Sequence, residues 1–206
     1  MLNELRSPRF SKVIQTISYL PHFISLVVIC GLIKIFVGPY GVVTQLLAAL
    51  GLSERGISLL NYAKNFVPIY VISDIWQGMG YGSIVYLAAI TNVSQELYEA
   101  AVVDGAGRWK QMLHVTLPGI LPTIITMLLL RMGGIMSVGY EKIILLYSPQ
   151  TYETADVISS YVYRSGLQQA RFSYSTAVGL FNSFINITTL VISNTIIKRA
   201  TETSLW

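Results

Sequence analysis

Residues 118–139 read PGILPTIITMLLLRMGGIMSVG, and this stretch decides the fold. Arg131 is its one charge, and between Ile120 and Leu130 only Pro122, Thr123 and Thr126 interrupt the apolar run. A helix that crosses a bilayer needs about 20 largely apolar residues, whereas a barrel strand needs about 10. Backbone groups in lipid must be satisfied within the segment, so a run of this length predicts a transmembrane helix.

Three further blocks have the same character. They run from Val13 to Val37 (interrupted by Pro21 and His22), from Val67 to Thr91 and from Tyr174 to Ile197. The expected fold class is therefore all-α, a polytopic membrane helix bundle with four spanning helices in this chain. Composition agrees. Of 206 residues 53% are hydrophobic and 12% charged, with a mean hydropathy of +0.57. A soluble domain carries about 25% charged residues. No polar linker divides the chain, so residues 1–206 are read as one domain.

The basic residues set the orientation. Arg6, Arg9 and Lys12 precede the first block, Arg108 and Lys110 follow the second, and Lys198 and Arg199 follow the fourth. Four spans put these clusters, and both termini, on one side, assigned to the cytoplasm. The other two connections are longer and mix Arg55, Lys64, Lys142, Arg164 and Arg171 with Glu54, Glu141, Glu153 and Asp156. Within them, Val42–Leu50 reads as a short amphipathic stretch between Gly41 and Gly51, and Thr154–Tyr163 as a helical cap. The net charge of +4 sits in clusters beside apolar blocks, not on one stripe, so it does not imply nucleic acid.

Little in the chain supports chemistry of its own. Cys30 is the single cysteine, which excludes an internal disulfide and a cysteine metal cluster. His22 and His114 lie in different kinds of segment, and no metal pair or catalytic dyad is expected. The G-x-x-x-x-G-K-[ST] pattern for nucleotide phosphates is missing. No catalytic residue, metal or cofactor is assigned, and the chain is not read as an enzyme.

The middle connection is the most informative. It reads Glu96-Leu97-Tyr98-Glu99-Ala100-Ala101-Val102-Val103-Asp104-Gly105-Ala106-Gly107-Arg108-Trp109 and closes on Val115-Thr116-Leu117-Pro118. Ser94 suits a helix N-cap, with Gln95 and Glu96 near the positive helix end. Leu97, Ala100, Ala101 and Asp104 share a face that two alanines keep thin. Gly105 permits the turn that stops the helix. A second short helix, Trp109 to Val115, then leads to Pro118, which suits a first helical turn. A bland alternative is an amphipathic helix lying on lipid. The thin face and scarcity of bulky anchors favour protein docking instead.

Glu-Ala-Ala, Asp-Gly-Ala and Leu-Pro at this spacing resemble the EAA loop of type I binding-protein-dependent ABC importer permeases. In that family the loop is the coupling helix, seated in a cleft of the ATPase subunit. The resemblance implies that Glu99, Ala100, Ala101, Asp104, Gly105, Leu117 and Pro118 are the coupling residues. It implies a second permease subunit, two ATPase subunits that hold ATP and Mg, an extracytoplasmic solute-binding protein and residence in the bacterial cytoplasmic membrane. Ser18–Ser25, Tyr140–Tyr147 and Tyr161–Arg164, with Gly166-Leu167 after it, are similar to the branch that imports oligosaccharides. Full-length relatives of that branch have six spans. This sequence begins where the loop before their third helix would lie, so the expectation is a chain without those N-terminal helices, through a misassigned start or as a fragment.

Polar groups within spans tend to face a bundle interior or a pathway. Asp74, Gln77 and Tyr81 share a face of the second block, and Asn182, Asn186, Thr189 and Ser193 a stripe of the fourth. Asp74 and Arg131 each lie roughly 10–12 Å inside the assumed outer boundary and are expected to be able to pair. Asp74, Trp76, Gln77, Tyr81, Arg131, Asn182 and Asn186 are the candidate lining of a sugar pathway, with Trp76 or Tyr81 packing on sugar rings. Interhelical hydrogen bonding is the structural alternative. Two competing functions remain open at this stage: a secondary transporter or channel with Asp74 and Arg131 in an ion path, and an inactive truncated permease.

Overall fold

The computed structural model describes residues 8–201, and every regular element in that range is helical. Arg6, one of the residues used for orientation, lies outside the described residues. The elements are α1 (Pro8–Tyr19), a 3₁₀ turn (Leu20–Phe23), α2 (Leu26–Phe36), α3 (Val42–Ala49), α4 (Ala63–Thr91), α5 (Gln95–Val103), α6 (Arg108–Gly119), α7 (Leu121–Met132), α8 (Tyr140–Leu146), α9 (Tyr152–Ala155), α10 (Ile158–Tyr163) and α11 (Phe172–Thr201).

The expected spans take different forms. Residues 172–201 form one helix of 30 residues, about 45 Å long. By length and composition this is the one described helix apolar enough to cross a membrane, or one of three if each of two bent pairs is a single span. The first expected span is such a pair, with α1 and α2 meeting at 99°. Pro21 supplies the break: it has no amide to donate and it opens the 3₁₀ turn. The third is the other pair, α6 and α7, meeting at 61°. Its apolar helix ends at Met132, earlier than the sequence reading, where Gly133 and Gly134 follow. The second expected span is a continuous 29-residue helix, α4. It is long enough but is not among the apolar candidates, because Asp74, Gln77 and three glycines dilute its hydropathy.

Two compact units share the chain. One comprises residues 12–80 and 136–183. Its core gathers Cys30 and Val37 from the α2 region, Leu59 and Leu60 from the connection, Phe66 from α4, and Ile143 and Leu146 from α8. The α2–α4 connection is pinned where Leu59 N–H and Ser58 Oγ both donate to the Val37 carbonyl, at 2.9 and 3.2 Å. Thr154 Oγ1 donates to the Ala63 carbonyl at 2.6 Å, tying α9 to the start of α4. The expected amphipathic stretch is α3, and the expected cap is present as α9 and α10, separated by Asp156 and Val157 in extended conformation.

Among the described residues the other unit comprises 8–11, 81–135 and 184–201. Within it α5, α6 and α7 follow one another, with Ile120, Ile125 and Leu129 buried. Large apolar side chains stand exposed on α11, among them Leu180, Phe181, Phe184 and Ile187, each over 60% accessible. Apolar surface on that scale fits lipid or a partner subunit rather than water.

Candidate functional site

Helix α5 is short, exposed and closed at both ends. Ser94 Oγ accepts the Glu96 amide at 3.3 Å, the N-cap expected from the sequence. At the other end the Gly105 amide donates to the Val102 carbonyl (3.0 Å) and the Ala106 amide to the Ala101 carbonyl (2.8 Å). This is the Schellman pattern, in which the residue after the cap turns left-handed. Gly105 has φ +73°, which a side chain at that position would resist. The helix therefore stops at Val103 because of Gly105 and cannot run on into α6.

The faces differ in what they offer. Glu99, Ala100, Asp104 and Gly105 are exposed and Ala101 is half-buried. Val102 and Val103 are 61% and 87% accessible, unusual for aliphatic groups that have no partner to cover them. Glu99 and Asp104 make no ion pair among the described residues. The result is a small, acidic, apolar-edged rod with its carboxylates free to meet a donor.

Helix α6 begins at Arg108 after the Gly107 cap and runs to Gly119, longer than the stretch expected from the sequence. Its middle, Met112–Thr116, is π-wound. Gln111 Nε2 donates to the Ala106 carbonyl at 2.8 Å, and the Tyr98 and Thr116 hydroxyls meet at 2.9 Å. Leu117 and Pro118 are exposed in the last turn, and the chain bends at Ile120 into α7. Between α5, α6 and the end of α4 lies an open cleft, lined by Ile90, Val93, Tyr98, Val102, Met112 and Leu117 among others. Tyr98, Gln111 and Thr116 were not singled out from the sequence. Nothing in their residue types marks them, because their importance comes from α6 folding back on α5.

The polar residues named from the long apolar blocks lie on three helices. Asp74, Trp76, Gln77 and Tyr81 lie on α4, Arg131 on α7, and Asn182 and Asn186 on α11. Trp76 and Tyr81 are 49% and 46% accessible, and the Asn182 Oδ1 is buried with no hydrogen-bond partner. The expected partner of Asp74 is corrected: its carboxylate pairs with Lys142 of α8 at 3.4 Å, not with Arg131. Depth along two helices could not reveal this, because Lys142 comes from a connection excluded from the span count. Lys142 is 3% accessible and sits 5.1 Å over the Tyr70 ring. Burial pushes its ammonium pKa down, and the Asp74 charge only partly restores it.

In the same connection, Arg164 holds Asp156 through two hydrogen bonds, at 3.2 and 2.5 Å. Its guanidinium lies over Tyr152 at 4.7 Å and Tyr161 at 5.7 Å. Burial alone would raise the Asp156 pKa, but hydrogen bonds from Arg164 and Ser160 and the Arg164 charge hold it below its ordinary value. No group of three or more metal-ligating side chains occurs among the described residues.

The family model described as binding-protein-dependent transport system inner membrane component matches residues 2–202. Protein LplB of Bacillus subtilis (strain 168) is 40% identical over the whole chain, which spans 64% of that relative. The polygalacturonan/rhamnogalacturonan transport system permease protein YteP of the same organism is 39% identical with the same coverage. Among solved structures, that of a bacterial ABC transporter involved in import of the acidic polysaccharide alginate aligns with TM-score 0.93 and 49% identity. It covers 98% of this chain and 70% of its own. A second, of the alginate transporter in complex with an alginate pentasaccharide-bound periplasmic protein, gives TM-score 0.94 and 48% identity, with 100% and 71% covered.

Proposed function

The chain belongs to the binding-protein-dependent transport system inner membrane component family, and from that membership we propose that it is the permease subunit of an ATP-driven oligosaccharide importer. It spans 64% of the length of the curated relatives above, so the activity is proposed for the protein it represents. The observation that carries the reading is α5: a capped, protruding helix with Glu99, Ala100, Asp104 and Gly105 at its exposed surface. ATP and Mg belong to two partner ATPase subunits. A second permease and an extracytoplasmic solute-binding protein complete the assembly. The whole chain is one transmembrane domain in the cytoplasmic membrane, with four spans, both termini in the cytoplasm and α5 as the coupling helix.

The steps follow from these parts. ATP binding draws the two ATPase subunits together. Helix α5, docked on one of them through its own Glu99 and Asp104, moves with it, and α6 passes that displacement to α7 through the bend at Ile120. The bundle then turns from inward-open to outward-open and accepts sugar from the binding protein. Asp74, Trp76, Gln77, Tyr81, Arg131, Asn182 and Asn186 are proposed as pathway contacts. Uronate-bearing oligosaccharides are the first substrates to test, since YteP and the alginate importer are both named for acidic polysaccharides.

Gly105→Asp tests the coupling role. At φ +73° the substitution is strained, and it adds a charge at the docking corner. Membrane insertion should remain normal, while substrate-stimulated ATP hydrolysis and uptake in proteoliposomes fall at least tenfold, a loss of about 1.4 kcal/mol. Unchanged uptake and stimulation would remove α5 from the docking role.

A further inference from the structure

We infer that the hydrogen bond between Tyr98 and Thr116 is the strut through which α5 moves the membrane helix behind it, an inference that rests on the coupling role proposed above. Seven residues of α5 point outward: Gln95, Glu96, Leu97, Glu99, Ala100, Val102 and Val103 are all exposed. Tyr98 and Ala101 are the half-buried ones. Among the described residues, Tyr98 makes the one side-chain hydrogen bond that leaves α5, to Thr116 at 2.9 Å. Thr116 Oγ1 also reaches the Gln111 carbonyl at 3.5 Å, and across the shorter contact either hydroxyl can donate to the other.

A second tie lies at the corner, where Gln111 Nε2 donates to the Ala106 carbonyl. One tie alone would let α5 pivot about its C-terminal turn. Two ties, at the corner and near the middle of α5, fix its direction relative to α6. The receiving end is also the mechanically sensitive one. Thr116 is the last residue of the π-wound turn, and four residues later the chain bends by 61° at Ile120 into the apolar α7. A π turn breaks the regular α winding and recurs at functional sites, so a pull on Thr116 acts beside the bend rather than along an unbroken rod. Tyr98 and Thr116 are thus positioning residues: neither is placed against ATP or sugar.

The test uses the assembled transporter, with ATPase subunits and second permease, in proteoliposomes. Tyr98→Phe and Thr116→Val each remove the bond and keep the side chain's shape. Retention of the ATPase subunits on purification should match the parent. Uptake per ATP hydrolysed should fall roughly three- to tenfold, the effect of one hydrogen bond. The double variant should be no worse than the more affected single, because both lose the same bond. Unchanged uptake per ATP in either single variant overturns the inference. So do additive losses in the double, or losses that merely follow the amount of assembled complex. Failure of the parent chain to retain ATPase subunits would instead refute the coupling role itself.

Discussion

At Gly80, α4 passes so close to α1 that an ideal Cβ would lie 2.0 Å from the Ser18 carbonyl oxygen. The obstacle is backbone, not the end of a flexible side chain, so one helix must move to admit a methyl group. Gly78 and Gly82 on the same helix have nothing within 4 Å of such a Cβ. Gly80→Ala should therefore cost about 1–3 kcal/mol by overpacking, whereas Gly78→Ala and Gly82→Ala should be neutral or stabilising by up to about 1 kcal/mol through helix propensity. Thermal unfolding of the three variants in detergent measures this. Equal midpoints for Gly80→Ala and Gly82→Ala would mean that α1 does not pack on α4 as described. The sequence shows three glycines at every second position and offers no way to choose among them. The choice belongs to α1, which crosses at only one. Lys142 has the same history. Its charge placed it with the polar connection, yet it is buried against Asp74 and Tyr70, and only tertiary packing could tell it apart from the exposed Lys64.

Among the elements, those ended by local chemistry were legible and those set by packing were not. Helix α5 begins at the Ser94 cap and stops at Gly105, and the same residues mark both ends in the sequence. The bends between α1 and α2 and between α6 and α7 were not legible as angles, although Pro21, Pro118 and Pro122 stand beside them. A proline announces a break in hydrogen bonding but not the direction the chain then takes. The connection between α8 and α11 shows how a long segment without spans acquires order. Arg164 draws Asp156, Tyr152 and Tyr161 together and so fixes α9 against α10. Because the folded Asp156 pKa lies below its ordinary value of 3.8, the clasp adds stability that is fully present above that value. That stability is lost as pH falls through the folded pKa. Amide protection across residues 152–168, taken relative to the intrinsic exchange rate at each pH, should stay high at neutral pH and fall only below about pH 4. In Arg164→Gln burial is opposed only by Ser160, so the Asp156 pKa should move up and protection should fall at higher pH, with a local loss of about 1–3 kcal/mol. An exchange profile in Arg164→Gln that overlays the parent at every pH would show that the clasp does not hold this connection.

For the molecule as a whole, the helical class and the loop that carries the family resemblance could be read directly, whereas the number of crossings could not. Among the described residues one helix is long and apolar enough by itself, two bent pairs qualify only when each is joined, and α4 crosses only if its polar residues face protein or a pathway. Sidedness separates these possibilities, because each crossing reverses the side of every later connection. With α4, the α6–α7 pair and α11 all crossing, and the basic clusters held inside, α5 faces the cytoplasm and the α8–α10 connection faces out. The single native cysteine makes this measurable. In a Cys30→Ser background, Val103→Cys and Leu167→Cys place thiols at positions 87% and 66% accessible, at the end of α5 and just beyond α10. A membrane-impermeant maleimide added to intact cells should label position 167 and leave position 103 untouched until the membrane is permeabilised. Labelling of both positions in intact cells would place α5 outside, where no ATPase subunit can reach it, and the importer reading would fail. Protection of both would mean an even number of crossings between them, so that the α6–α7 pair turns back within the membrane rather than spanning it.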